Sequence, residues 1–256
     1  MKKIQLFAWM VVALMCLSFS GCGATSSEEE PYVTQLMLAR FDDSSYANNC
    51  FYDVNGTKII PSDLSILTGV MSTGNGIYQF TVNYNPDMVS NGQVTANFNS
   101  TPSSIMNPFG VISSSEVMID NNIPLYALEY LPRQLAPFMF DKDYLVIPVV
   151  YQGVSTVNES EIATELAKHR FVLLWEPFGA GDKTLTLNLT DKVTDPDTER
   201  YYPLFTYQAF DLRSVIANFK AQGNSLEKIV IKAKVGENTN DLERATEKTY
   251  SIEYNF

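Results

Sequence analysis

Few side chains here are of types that do chemistry by themselves. His169 is the single histidine in the chain, so any nucleophile–base triad would have to use it, and a zinc site built on several histidines is excluded. It stands between Lys168 and Arg170 at the end of a predicted helix. A cation there complements the helix dipole, so it is read as a surface or capping residue. Cys50 is flanked by Asn48, Asn49, Phe51 and Tyr52, which offer neither base nor cation to activate a thiol, and it is read as a half-buried filler. Asp141 and Asp143 lie two apart, and Asp191, Asp195, Asp197 and Glu199 cluster in one segment. A glycoside hydrolase needs two such groups across a cleft. The Asp191–Glu199 segment could also offer oxygen ligands to calcium, but it lacks the spacing and central glycine of an EF-hand, and a solvated acidic loop is expected. Tyr201, Tyr202, Phe205, Tyr207 and Phe210 could stack on sugar rings, although their spacing favours core or cross-strand pairing. No Gly-x-Ser-x-Gly, Walker, dinucleotide-glycine or His-Glu-x-x-His pattern occurs. The expectation is no catalytic residue, no metal and no cofactor.

Cys22 is the residue with the clearest assignment. Met1-Lys2-Lys3 is a short basic start, Leu6 to Leu17 is an uncharged apolar run, and Ser18-Phe19-Ser20-Gly21 supplies small residues before the cysteine. This is the layout of a secretory signal peptide, too short for a span of about 20 apolar residues. The ending Phe19-Ser20-Gly21-Cys22 resembles the lipobox of bacterial lipoproteins, which implies cleavage after residue 21 and a lipid on Cys22. Residues 22–32 then read as an acidic tether, with Glu28-Glu29-Glu30. That acidic stretch resembles signals that send some lipoproteins to the outer face of the outer membrane. The expected location is lipid-anchored at the outer membrane, on the cell surface or the periplasmic face.

Removing the first 21 of 256 residues leaves 235, and the loss of Lys2 and Lys3 takes the net charge from −11 to −13. Such a body repels phosphate backbones, so nucleic acid is not an expected partner. Cys16 leaves with the leader and Cys22 is acylated, so Cys50 has no partner for an internal disulfide.

Most of the remainder alternates at period two. Tyr78, Phe80, Val82 and Tyr84 share one strand face, as do Val94, Ala96 and Phe98, then Leu185, Leu187 and Leu189, then Ile229, Ile231, Ala233 and Val235, and finally Tyr250, Ile252, Tyr254 and Phe256. Two runs, 144–151 and 171–175, are apolar on both faces and should be central. Asn55-Gly56, Asn91-Gly92 and other glycine turns separate the strands. Helix is expected only over Asn158–Lys168 and in a short stretch after Asp211. A break near Thr101–Asp120, with two prolines and five serines, divides residues 33–115 from 116–256. The class is all-β, with less than a fifth helix.

The lipobox, the block from Phe51 to Ser62 (FYDVNGTKIIPS) and the closing run from Lys248 to Asn255 (KTYSIEYN) together resemble the NigD-like lipoproteins. The resemblance implies an N-terminal OB-like β-barrel at 33–115 and a C-terminal antiparallel β-sandwich at 116–256. The family takes its name from a gene associated with bacteriocin production and proposed immunity, and it supplies no motif for a site residue. With an anchor, β units and exposed loops, the chain reads as a non-catalytic envelope module for a protein or glycan partner. Bacteriocin immunity is the alternative, and a glycan hydrolase the more distant one.

Overall fold

The computed structural model describes residues 32–42, 50–115, 121–130, 133–154, 159–237 and 239–256. Cys22, the leader and the tether up to residue 31 lie outside the described residues. Helix makes up 15% and strand 49%, which meets the all-β expectation. The chain divides into two compact units between Ser104 and Ile105.

The first unit is a closed five-stranded barrel. Its strands are β1 (Val33–Asp42), β2 (Cys50–Asp53), β3 (Lys58–Pro61), β4 (Gly76–Tyr84) and β5 (Gln93–Phe98). They run in the order β1-β2-β3-β5-β4, and β4 closes onto β1. A short helix α1 (Leu67–Thr73) lies between β3 and β4 in the chain, and β6 (Ser103–Ser104) adds to β4. The predicted hairpin is β2–β3, with Phe51 opposite Ile59. Its turn holds because Gly56 takes φ +80° and Asp53 Oδ1 accepts from the N–H groups of Asn55 and Thr57. Alternation delivers Tyr78, Phe80 and Val82 inward. The Phe51 ring lies 4.7 Å from Phe80 and 5.3 Å from Phe41, spacings at which aromatic pairs add to simple burial. Cys50 is 1% exposed, so it is fully rather than half buried.

The second unit packs two sheets on one core. The larger has the order β14-β13-β11-β10-β7, from β7 (Val111–Ser113), β10 (His169–Trp175), β11 (Thr184–Val193), β13 (Lys228–Val235) and β14 (Thr246–Glu253). The smaller is β12-β9-β8, from β8 (Phe138–Met139), β9 (Tyr144–Gly153) and β12 (Tyr202–Asp211). Leu187, Leu189 and Ile231 of the first meet Ile147, Tyr151 and Phe210 of the second in a single cluster. Every residue of β9 is buried, as its doubly apolar sequence requires. Two helices complete the unit, α2 (Glu159–Leu166) and α3 (Arg213–Ala221). The second starts where Asp211 Oδ1 accepts from the Arg213 N–H at 2.9 Å.

Helix α1 in the first unit was not expected, and two further details differ from expectation. Pairing is not wholly antiparallel: β11–β13 and β10–β7 run parallel, because the chain crosses through β12 and α3 before β13 returns beside β11. The division falls at 104/105 rather than 115/116, since β7 belongs to the sheet of the second unit. Its three residues pair only through distant β10, which a serine-rich local sequence does not reveal.

Candidate functional site

The alternation that builds β10 and β11 also carries polar groups into the second unit. His169 shares a strand face with Phe171 and Leu173, and Asp191 continues the inward series Leu185, Leu187, Leu189. The two are directly linked: His169 Nδ1 and Asp191 Oδ2 are 2.7 Å apart, and neither side chain has exposed surface. His169 is therefore a buried strand residue, not the surface or capping residue expected. The Tyr151 ring lies 4.6 Å from the imidazole, and the Phe171 ring stacks on it at 5.8 Å.

Around this pair lies a set of fixed charges. Glu165 of α2 approaches His169 Nε2 at 3.7 Å and accepts from Arg200 Nε at 2.6 Å, with Arg200 wholly buried. Lys168 Nζ is 3.1 Å from both Glu165 and Asp195. Arg200 also pairs with the Asp195 carboxylate and donates to the carbonyls of Asp195 (2.9 Å) and Thr198 (3.1 Å). Burial works against ionised Glu165, but the Arg200 and Lys168 hydrogen bonds outweigh it and hold its pKa below the ordinary carboxylate range. Burial raises the pKa of Asp191 despite the opposing bond from His169, and it raises that of Tyr151 strongly. Tyr151 OH, His169 Nε2 and Asp191 Oδ1 have no hydrogen-bond partner among the described residues.

This arrangement has the ingredients of acid–base chemistry, but among the described residues the His169 and Asp191 side chains carry no exposed surface. The acidic segment is the solvated loop expected only at Asp197 and Glu199, which are exposed. Asp191 is inside the strand, and Asp195 is engaged by two cations. Among the described residues, no group of histidine, cysteine, aspartate or glutamate is placed to hold a metal ion. Asp141 is likewise occupied, with Oδ1 accepting from the N–H groups of Asp143 and Tyr144.

The aromatic series divides. Phe210 is core, and Tyr207 is half-buried with its ring edge-on to Phe205 at 6.0 Å. Tyr201, Tyr202 and Phe205 are instead 49%, 51% and 36% exposed, three aromatics within five residues at the border of the smaller sheet. The Arg133 guanidinium sits over the Phe205 ring at 5.2 Å. From Tyr201 to Phe210 there is no charged side chain. This edge is exposed, whereas the His169 and Asp191 side chains are not.

No protein-family model matches the chain, and no curated protein matches it. Among solved structures, it is similar to a candidate lipoprotein of Bacteroides fragilis at 25% identity, covering 87% of this chain and 99% of that one with a TM-score of 0.74. An uncharacterised protein of Parabacteroides merdae shares the fold at 13% identity, covering 87% and 100% with a TM-score of 0.53. A NigD-like immunity protein of Bacteroides caccae is also among the matches, at 13% identity, 87% and 97% coverage and a TM-score of 0.46; that likeness is too slight to speak to function. The likeness to a candidate lipoprotein is consistent with the lipoprotein reading of the sequence, and the strand content with its all-β class.

Proposed function

We propose that this protein is a lipid-anchored envelope protein of NigD-like type, held at the outer membrane through Cys22, that binds a partner without catalysis. The anchor is supported by the leader and cysteine of the sequence and by the similarity to a candidate lipoprotein. The observation that carries the binding reading is the exposed, uncharged aromatic edge Tyr201–Phe205. Exposed apolar side chains concentrated in one place mark interaction sites more often than scattered ones do. The one histidine has no exposed side-chain surface and is held through Nδ1 on Asp191, which favours a scaffold role over a catalytic one.

Each part of this reading has its own test. Cys22→Ser should move the protein from the membrane to the soluble fraction, and mass spectrometry of the mature protein should find an acylated Cys22. A photo-crosslinking residue at position 205 should give a discrete adduct in cells, while one at position 248 on β14 gives none. Equal labelling from both positions would sink the binding reading. Hydrolysis of a polysaccharide by the pure protein, abolished by one carboxylate substitution, would overturn the non-catalytic one. Selective sensitisation of a deletion strain to bacteriocins, restored by the lipidated protein, would favour immunity.

A further inference from the structure

The backbone of β12 has a definite phase. Phe205 lies opposite Val150, and the Val150 carbonyl accepts from the N–H groups of Tyr126 (3.0 Å) and Ala127 (3.3 Å), on the side away from β12. In an antiparallel ladder, residues at such a pair both turn their backbone groups outward. Ala209 keeps the same phase, donating to the Ile105 carbonyl and accepting from the Asn107 N–H, both at 2.8 Å. Tyr207 lies between them opposite Pro148, a residue with no ladder donor to give. The N–H and C=O groups of Phe205 and Tyr207 therefore face the outer edge, and neither has a partner among the described residues.

We propose that this outer edge, from Pro203 to Tyr207, takes an extended polypeptide segment of another protein as an added strand. The proposal rests on the binding reading above and gives its partner a chemistry. Three observations favour a peptide. The same edge already carries an extended segment of this chain, Ile105–Asn107, pairing in parallel at Ala209. Natural sheets guard their edges with charge; the β14 edge carries Glu247, Lys248 and Glu253, whereas β12 carries none before Asp211. Unpaired peptide groups in a row match another backbone, while a sugar ring would stack on the aromatics and leave them unmatched. A second copy fits poorly. Two-fold pairing about Thr206 would drive its strand into the lane that Met106 fills opposite Ala209, but a free segment can stop at Tyr207. The net charge of −13 without the leader selects neutral or basic segments.

The test uses the lipidated protein in detergent and a random 12-residue peptide library displayed on phage. Selected peptides should be rich in β-branched and aromatic residues. N-methylation at alternate positions should weaken each by about tenfold, and at the intervening positions hardly at all. Binding should slow amide exchange at Phe205 and Tyr207 specifically. Phe205→Pro and Tyr207→Pro each remove an outward donor that the fold does not use, so they should abolish binding while the Trp175 fluorescence melt is unchanged. Should either variant misfold, the N-methylated peptides still decide the question. Failure to select any peptide, or binding indifferent to the N-methylation pattern, overturns the proposal. So does protection of Phe205 on concentrating the protein alone, which would make the occupant a second copy. Binding to a glycan array that is lost in Tyr202→Ala overturns it in favour of sugar. A discrete crosslink from position 205 with no strand-type peptide would leave the binding reading standing and remove only the added strand. Loss of both would remove both.

Discussion

Arg200 Nε donates to Glu165 Oε1 at 2.6 Å across 35 residues of chain, with both side chains out of solvent. The contact ties helix α2 to the segment between β11 and β12. It thereby fixes the helix beside the strand that carries His169. A buried pair of this kind adds little over a well-packed apolar replacement, but removing one partner leaves a charge stranded.

Arg200→Met should therefore destabilise the second unit by about 3–5 kcal/mol. Glu165→Leu combined with Arg200→Met should recover most of that loss, giving a strongly non-additive cycle. Trp175 is the sole tryptophan beyond the leader and sits on β10, so its fluorescence in urea reports this unit alone. Additive losses in the double variant would contradict a coupled buried pair.

The same cluster sets a pH dependence. Glu165 and Asp195 have folded pKa values below their ordinary 4.5 and 3.8, because cationic hydrogen bonds outweigh burial. Depressed values give stability that is present above the unfolded pKa and lost as pH falls through the folded one. Asp191 acts oppositely: burial raises its pKa, so its share is present at low pH and lost as pH rises through the raised value. The share held by Glu165 and Asp195, and with it those of Glu176 and Asp211, whose pKa values hydrogen bonds also lower, should be lost between about pH 5 and pH 3, as a fall in the urea midpoint. Glu165→Gln should flatten that fall, and Asp191→Asn should not.

The barrel was legible because its signals are local. The Phe51–Ile60 hairpin carries its own Asn-Gly turn, and the alternation Tyr78–Tyr84 states which face is buried. The charged cluster was hidden for two reasons. His169 is flanked by Lys168 and Arg170, which suggest a surface. Yet its spacing of two from Phe171 and four from Leu173 is the strand signal that places it inside. Asp191 carries the same signal, two beyond Leu189. Arg200 has no comparable cue, since its partners lie on a distant helix and a loop, and long-range pairing leaves no local period. The exposed aromatic edge was half legible. Spacing identified the strand, but only the order β12-β9-β8 shows that it has an open side.

Cys50 offers a simple check on the first unit. At 1% exposure, its thiol should resist a disulfide reagent in the native protein and react at once in urea. Cys50→Ala should cost about 1 kcal/mol through the lost sulfur volume. Rapid native labelling at Cys50 would show that β2 opens far more readily than its packing implies.

His169 allows the sharpest test of whether the buried pair works as chemistry or as structure. Because it is the only histidine, modification by diethyl pyrocarbonate reports one imidazole with no background. A ring without exposed surface, with Nδ1 on Asp191 and Nε2 facing Glu165, should be inert in the fold and modified only on unfolding. His169→Phe should keep the ring stack on Phe171 but leave the Asp191 carboxyl without its donor, at a cost of about 1–3 kcal/mol. Adding Asp191→Leu should return part of that loss, since replacing both partners with apolar groups strands nothing. A catalytic imidazole behaves otherwise: it must meet solvent or substrate to move a proton. Fast modification in the native state, protected by a saccharide, would therefore restore the hydrolase alternative.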